Sequence, residues 1–179
     1  MYSKAKVGGH PIHPMFVAFP ITFYTLSLVA FLVFQFGSRE IFWFQLGVFS
    51  TYAGVVTALL AAVPGFIDWA FGIPKESAAK KRGLIHMSLN VAALLLFAFN
   101  TYQVYGYWNF PMDDVTNLWL VALIGVGLTA AAGYHGWELI ATHKVGVSMT
   151  PEQERLEPVE KMSRKDHEVA SPLTRPRTI

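Results

Sequence analysis

Polar and apolar positions divide the chain into four long uncharged runs separated by short charged segments. The runs cover residues 15–36, 41–67, 83–104 and 115–137, and the last carries on past Glu138 to 141. Each reaches or exceeds the roughly 20 residues that a helix needs to cross the hydrocarbon core of a bilayer. The pattern predicts an all-α integral membrane protein: a four-helix bundle over residues 1–146, followed by a polar tail over residues 147–179. Lys4 and Lys6 ahead of the first run would suit a signal peptide. That run is longer than a signal peptide's apolar core and no small-x-small cleavage site precedes Arg39, so the first span is expected to be retained.

The basic residues set the expected orientation. Lys4 and Lys6 precede the first span, Lys75, Lys80, Lys81 and Arg82 fall between the second and third, and Lys144 follows the fourth. All belong to one side. The other side has Arg39 next to Glu40, then Asp113 and Asp114 with no basic neighbour. The excess of Lys and Arg on cytoplasmic loops therefore predicts cytoplasmic N- and C-termini. The tail is interrupted by Pro151, Pro158, Pro172 and Pro176 and is too polar to build a core. Thr150-Pro151-Glu152 has the form of a helix start. The remainder is expected to order on a partner subunit or on the bundle's own surface.

Composition narrows the chemistry. With no cysteine, thiolate metal sites, iron-sulfur ligation by cysteine and covalent haem attachment are excluded. A formal charge of +2, without interleaved basic and aromatic residues, gives no reason to expect nucleic acid. No hydrolase triad, phosphate-cradling glycine loop or His-Glu-x-x-His motif is present, so the expectation leans away from an enzyme.

A faint repeat links the halves. His13 opens the first span and His86 the third, while Gly65-Phe66-Ile67-Asp68-Trp69 resembles Gly133-Tyr134-His135-Gly136-Trp137. A duplicated hairpin would give two parallel hairpins around an axis along the membrane normal. Chance likeness between apolar helices is the competing explanation.

Four crossings bring His10, His13, Asp68, His86, Glu138 and His143 to the cytoplasmic face, with His135 about 12 Å deeper than His143. His10-Pro11-Ile12-His13-Pro14 predicts an extended entry with His13 as N-cap. His86 and Asn90 share a helix face. Ionisable residues in such positions are functional candidates, and two imidazoles on facing helices suffice for haem iron. His13, His86, His135 and His143 are the candidates for haem b, with His86 and either His135 or His13 as the first pair. His10, His13, Asp68, His86 and His143 are the candidates for a metal ion. Interfacial anchoring and interhelical hydrogen bonding account for the same histidines without a cofactor. The small residues of the fourth span, Gly125 to Gly136, would suit a planar macrocycle or plain helix packing. Pro64-Gly65 allows a kink that would aim Asp68 inward.

Gly9-His10-Pro11-Ile12-His13-Pro14-Met15, Phe19-Pro20-Ile21, Gly65-Phe66-Ile67-Asp68-Trp69, His86 with Asn90, and His143 before Val145-Gly146-Val147 together resemble domain of unknown function 2231, a family of predicted bacterial membrane proteins. The resemblance spans about residues 9 to 147. It implies a bacterial cytoplasmic membrane, with the family's histidines falling on His10, His13, His86 and His143 and its aspartate on Asp68. Fusion of some members to Rieske-type domains implies proximity to electron transfer. Two positions depart from the family: Ala18 stands where histidine is frequent, and Lys144 where glycine is usual.

The expected function is a membrane subunit of a respiratory or photosynthetic electron-transfer assembly, with haem b or a metal on the histidines. The rival is a cofactor-free accessory subunit that fastens larger membrane partners through its tail. A transporter would need polar residues across the whole bilayer, and these gather at one end. Topology is directly testable: a cysteine at Ser77 should resist labelling from outside intact cells while one at Asp113 reacts. The reverse pattern would invert the protein.

Overall fold

The structure, a computed structural model, describes residues 3–147 together with Thr150, Glu152 and Arg155. The chain divides into two units, Met1–Gly146 and Val147–Ile179. In the second, Glu152 and Arg155 are helical; the rest of the expected tail helix and the proline-broken segment lie outside the described residues.

The first unit opens with two short antiparallel strands, β1 (Lys6–Val7) and β2 (His10–Pro11), with Lys6 opposite Pro11 and Val7 opposite His10. The hydrophobic pattern gave no sign of them. Gly8 and Gly9 connect them with φ of 56° and 83°, the doubly left-handed geometry of a tight hairpin turn. Five helices follow: α1 (Ile12–Phe16), α2 (Ala18–Phe36), α3 (Ile41–Ile67), α4 (Ala78–Gln103) and α5 (Thr116–Ala141). A π-helical turn, Asp68–Gly72, prolongs α3. Four stretches are long and apolar enough to cross a membrane: Ile12–Phe36, Ile41–Gly72, Ala78–Gln103 and Thr116–Ala141.

Two boundaries differ from expectation. The first helix is capped by Pro11, not His13, and starts at Ile12. It breaks at Val17 because Pro20 has no N–H to give the Phe16 carbonyl. The second span has the expected bounds, with Pro64 inside α3. The third span starts at Ala78, with the Ser77 hydroxyl accepting from the Lys80 backbone N–H at 3.2 Å. Lys80, Lys81 and Arg82 thus belong to the helix instead of the loop. The Lys80 ammonium turns back to the carbonyls of Trp69, of Ala70 at 3.3 Å and of Ile73 at 3.5 Å, satisfying acceptors that the end of a helix leaves free.

The spans form a ring in which α2 packs on α3, α3 on α4, α4 on α5, and α5 back on α2. Its buried positions repeat. Tyr24, Ser27 and Phe31 of α2 recur at constant spacing as Phe97, Asn100 and Val104; Thr51, Gly54 and Ala61 of α3 recur as Ala122, Gly125 and Ala132, and all twelve are buried. Tyr24 and Phe97 stack face to face, ring centroids 3.7 Å apart and planes 4° apart. Each ring rests on a glycine of its own hairpin: a Cβ added to Gly54 would come 2.6 Å from the Tyr24 ring, and one added to Gly125 2.6 Å from Phe97. Because equivalent residues meet each other, the two hairpins are related by an approximate two-fold axis along the bundle, as the faint repeat predicted.

At the end of the bundle away from the histidines, three side chains hold the segment between α4 and α5. Arg39 donates to the Asp113 carbonyl at 2.7 Å, Gln45 to the Trp108 carbonyl at 3.1 Å, and Gln35 accepts from the Val115 N–H at 3.1 Å.

The glycine clearings make a controlled prediction. Gly54→Ala and Gly125→Ala should each destabilise the bundle by about 1–3 kcal/mol, the usual cost of overpacking. Gly127→Ala, whose added Cβ would meet nothing within 4 Å, should be neutral or slightly stabilising. Unfolding of the three variants in mixed micelles ranks them.

Candidate functional site

The histidine end of the bundle separates into three groups. The first lies between the hairpins. His13 on α1 and His86 on α4 occupy equivalent places and meet with ring centroids 6.2 Å apart and planes at 90°. His13 Nδ1 is 2.9 Å from the Ala61 carbonyl of α3, and His86 Nδ1 is 2.7 Å from the Ala132 carbonyl of α5. A carbonyl only accepts, so each Nδ1 carries the proton, and in the neutral ring Nε2 holds the lone pair.

Glycines make these contacts reachable. In a helix, the side chain at i+4 lies over the turn that contains the carbonyl of residue i. Gly65 follows Ala61 by four residues and Gly136 follows Ala132 by four, so both carbonyls are uncovered. A Cβ on Gly65 would come 2.7 Å from His13 Nδ1, and one on Gly136 would come 3.0 Å from His86 Cε1. This moves the alignment of the halves: Gly65 corresponds to Gly136, not to Gly133 as the sequence comparison had it. Asn90 completes the group as expected, its amide donating to the His86 carbonyl at 3.0 Å and lying 3.2 Å from His86 Nε2.

The second group is ionic. His135 Nδ1 lies 3.0 Å from Glu138 Oε2, and Arg82 Nε approaches the same oxygen at 3.1 Å. Arg82 Nη1 is 3.3 Å from His135 Nδ1. His135 thus joins Arg82 and Glu138, and of the two partners expected for His86, His135 or His13, it is His13 whose ring meets the His86 ring.

The third group is an anchor. Asp68 does not turn toward the histidines. Its carboxylate accepts from the Ser3 hydroxyl at 2.9 and 2.8 Å and from the backbone N–H groups of Lys4 at 2.6 Å and Ala5 at 2.9 Å. These charge-assisted bonds tie the N-terminal segment beneath the end of α3.

The remaining candidates stand apart. His10 is exposed on β2 and His143 is half-buried in the turn after α5; neither is bonded to another candidate ligand. Among the described residues, no three His, Asp or Glu side chains come together as a metal cluster, so the five-residue metal set is not assembled. Ala18 is exposed, the first residue of α2 after the break at Val17. The small residues of α5 also divide: Gly125 is filled by Phe97 and Gly136 by His86, whereas Gly127 and Gly133 have open space.

Sequence reasoning missed the accepting carbonyls of Ala61 and Ala132, and Arg82 and Ser3. The sequence contained a signal for the first two, since a glycine four residues after each alanine, Gly65 after Ala61 and Gly136 after Ala132, marks the uncovered turn. Nothing local marked the others.

No curated protein and no solved structure matches the chain. The sequence pattern of the predicted membrane protein family DUF2231 matches residues 9–149. That stretch contains all four spans and the His13–His86 pair with both of its carbonyl partners, and the chain belongs to the DUF2231 family of membrane proteins.

Proposed function

We propose that this protein is a subunit of a respiratory or photosynthetic electron-transfer assembly in a bacterial cytoplasmic membrane, and that His13 and His86 hold either haem b or a metal ion near the cytoplasmic face. One observation supports this reading above the others: two imidazoles on separate hairpins, each fixed through its Nδ1 proton to a backbone carbonyl. This is the outer-shell arrangement that orients a metal-ligating histidine and raises the basicity of its free nitrogen. The donor set also suits an axial haem pair, because both ligands are imidazoles and the protein has no thiolate to compete. Iron held in this way would supply one-electron exchange. The chain's own part is to fix both rings through their Nδ1 protons and exclude water, with the Asn90 amide giving up His86 Nε2 and keeping its bond to the His86 carbonyl.

A different observation favours the cofactor-free accessory reading. Each histidine bridges the two helices of its own hairpin, so the rings satisfy themselves as interhelical hydrogen bonds, worth about 0.6 kcal/mol each on average in a membrane. In that reading the bundle is a rigid scaffold, and the tail beyond Val147 fastens it to larger subunits.

The two readings separate in a spectrum. The purified protein, recorded oxidised and reduced, should show a Soret band or a stoichiometric metal that His86→Ala removes. A well-folded protein with neither supports the scaffold. Truncation after Gly146 should leave insertion intact and weaken co-purification with membrane partners, and unchanged recovery of partners would remove the tail's proposed role.

A further inference from the structure

We infer that the segment between α4 and α5 is a lipid-docking element. Residues 104–112 lie in the headgroup region of the bilayer at the end away from the histidines, with Tyr105, Trp108 and Phe110 set among lipid ester groups and upper acyl chains. The inference is independent of what the histidines hold.

Exposure and composition carry the first step. Tyr105 is 78% exposed, Phe110 76% and Trp108 46%, yet residues 101–112 contain no Asp, Glu, Lys or Arg. Large apolar side chains gathered on one short exposed segment mark an interaction surface. Tyrosine and tryptophan concentrate at the boundary between membrane and water, where the ring lies against acyl chains while its hydroxyl or N–H reaches the polar headgroup region. The charges of this end, Arg39, Glu40, Asp113 and Asp114, all fall outside the segment.

Depth carries the second. Gln45 donates to the Trp108 carbonyl at 3.1 Å. It lies four residues inside α3, which begins at Ile41, or about 6 Å inward at the rise of a helix. The middle of the segment is therefore level with the outer turns of α3. Val104 and Val115 hold its two ends in the core beside Phe31, Phe34 and Phe44. Phe36 and Phe42, at the adjoining ends of α2 and α3, are exposed as well, so the rings of the segment continue an apolar surface that the spans already present to lipid.

The backbone is prepared for that depth. Main-chain polar groups removed from water need partners within the protein. The N–H groups of Tyr105, Tyr107 and Phe110 donate to the carbonyls of Tyr102, Val104 and Tyr107 at 3.3, 3.1 and 3.3 Å. Gln45, Arg39 and Gln35 serve the Trp108 carbonyl, the Asp113 carbonyl and the Val115 N–H. Charge complementarity, which selects a protein partner and sets its register, has no group to act through here. Lipid requires none.

The chain has no cysteine, so single nitroxide labels can be placed on the full-length protein. Phe110→Cys, Asn109→Cys, Asp113→Cys and Phe49→Cys are labelled and reconstituted into vesicles of phosphatidylcholine and phosphatidylglycerol with no other protein. At Phe110→Cys the ratio of oxygen access to access by a water-soluble nickel chelate should fall between that of Phe49→Cys, in the middle of a span, and that of Asp113→Cys, in water. Asn109→Cys keeps all three rings and should also be less open to the chelate than Asp113→Cys. In the unlabelled protein, lipids brominated near the headgroup end of the acyl chain should quench Trp108, read as the difference between wild type and Trp108→Phe, more than lipids brominated near the chain terminus. Quenching in this order together with a shielded Asn109→Cys supports the inference even where Phe110→Cys is open to water, since that substitution removes a docking ring. Chelate access at Asn109→Cys equal to that at Asp113→Cys, or a Trp108 that brominated lipids do not quench, overturns it. Labels open to water in these vesicles and shielded only in native membranes also overturn it and assign the surface to a protein partner.

Discussion

Ring-on-glycine packing is the constraint on which the rest of this bundle depends. In lipid, apolar side chains gain nothing by leaving the solvent for each other, so helices associate through close van der Waals fit and interhelical hydrogen bonds. Among the described residues six glycines receive an aromatic or imidazole ring in the space where a Cβ would stand, and four of them, Gly54, Gly65, Gly125 and Gly136, form two matched pairs. In each half one glycine lies under a hydrocarbon-rich ring, Tyr24 or Phe97, and the other under a histidine. The helices therefore close at two levels, and the same two levels are used twice.

The polar level has a second physical cause. A histidine within a membrane span must find a partner, because hydrocarbon offers none. Removing the side chain at i+4 uncovers a helix carbonyl, and both histidines take that option. The bond fixes the tautomer and with it the direction of the free nitrogen. The same hydrogen bonds hold each hairpin together, and on His86 the Nε2 lies 3.2 Å from the Asn90 amide.

The two-fold relation is approximate, and its departures are informative. Ser27 bonds Thr51 across the first hairpin at 2.7 Å, whereas its equivalent Asn100 reaches the Leu118 carbonyl at 2.9 Å and accepts from Gln103 at 2.9 Å. The hydroxyl of Tyr24, that of Ser50 and the indole N–H of Trp119 are buried with no hydrogen-bond partner among the described residues. At the histidine end the halves differ more: Asp68 secures the N-terminal segment on one side, and Arg82, His135 and Glu138 form an ion-paired set on the other. The matched layers carry the packing, and the unmatched residues sit toward the ends, where they meet different neighbours.

Length of apolar runs and placement of charge determined the four spans, the shared end for the start of the first span and the finish of the fourth, and the gathering of histidines there, because bilayer thickness and the cost of burying charge act on local sequence alone. Family membership was also legible, from the order of short motifs around His13, Gly65 and His86. Partnership was not. Asp68 and His86 looked alike as candidate ligands, yet one anchors a strand segment through backbone N–H groups and the other faces His13 across the axis. Which polar group meets which depends on helix rotation and on glycines dozens of residues away, as with Gly136 beneath His86. Only the packed bundle fixed those distances, and it separated one candidate cluster into a histidine pair, an ion-paired set and an anchor.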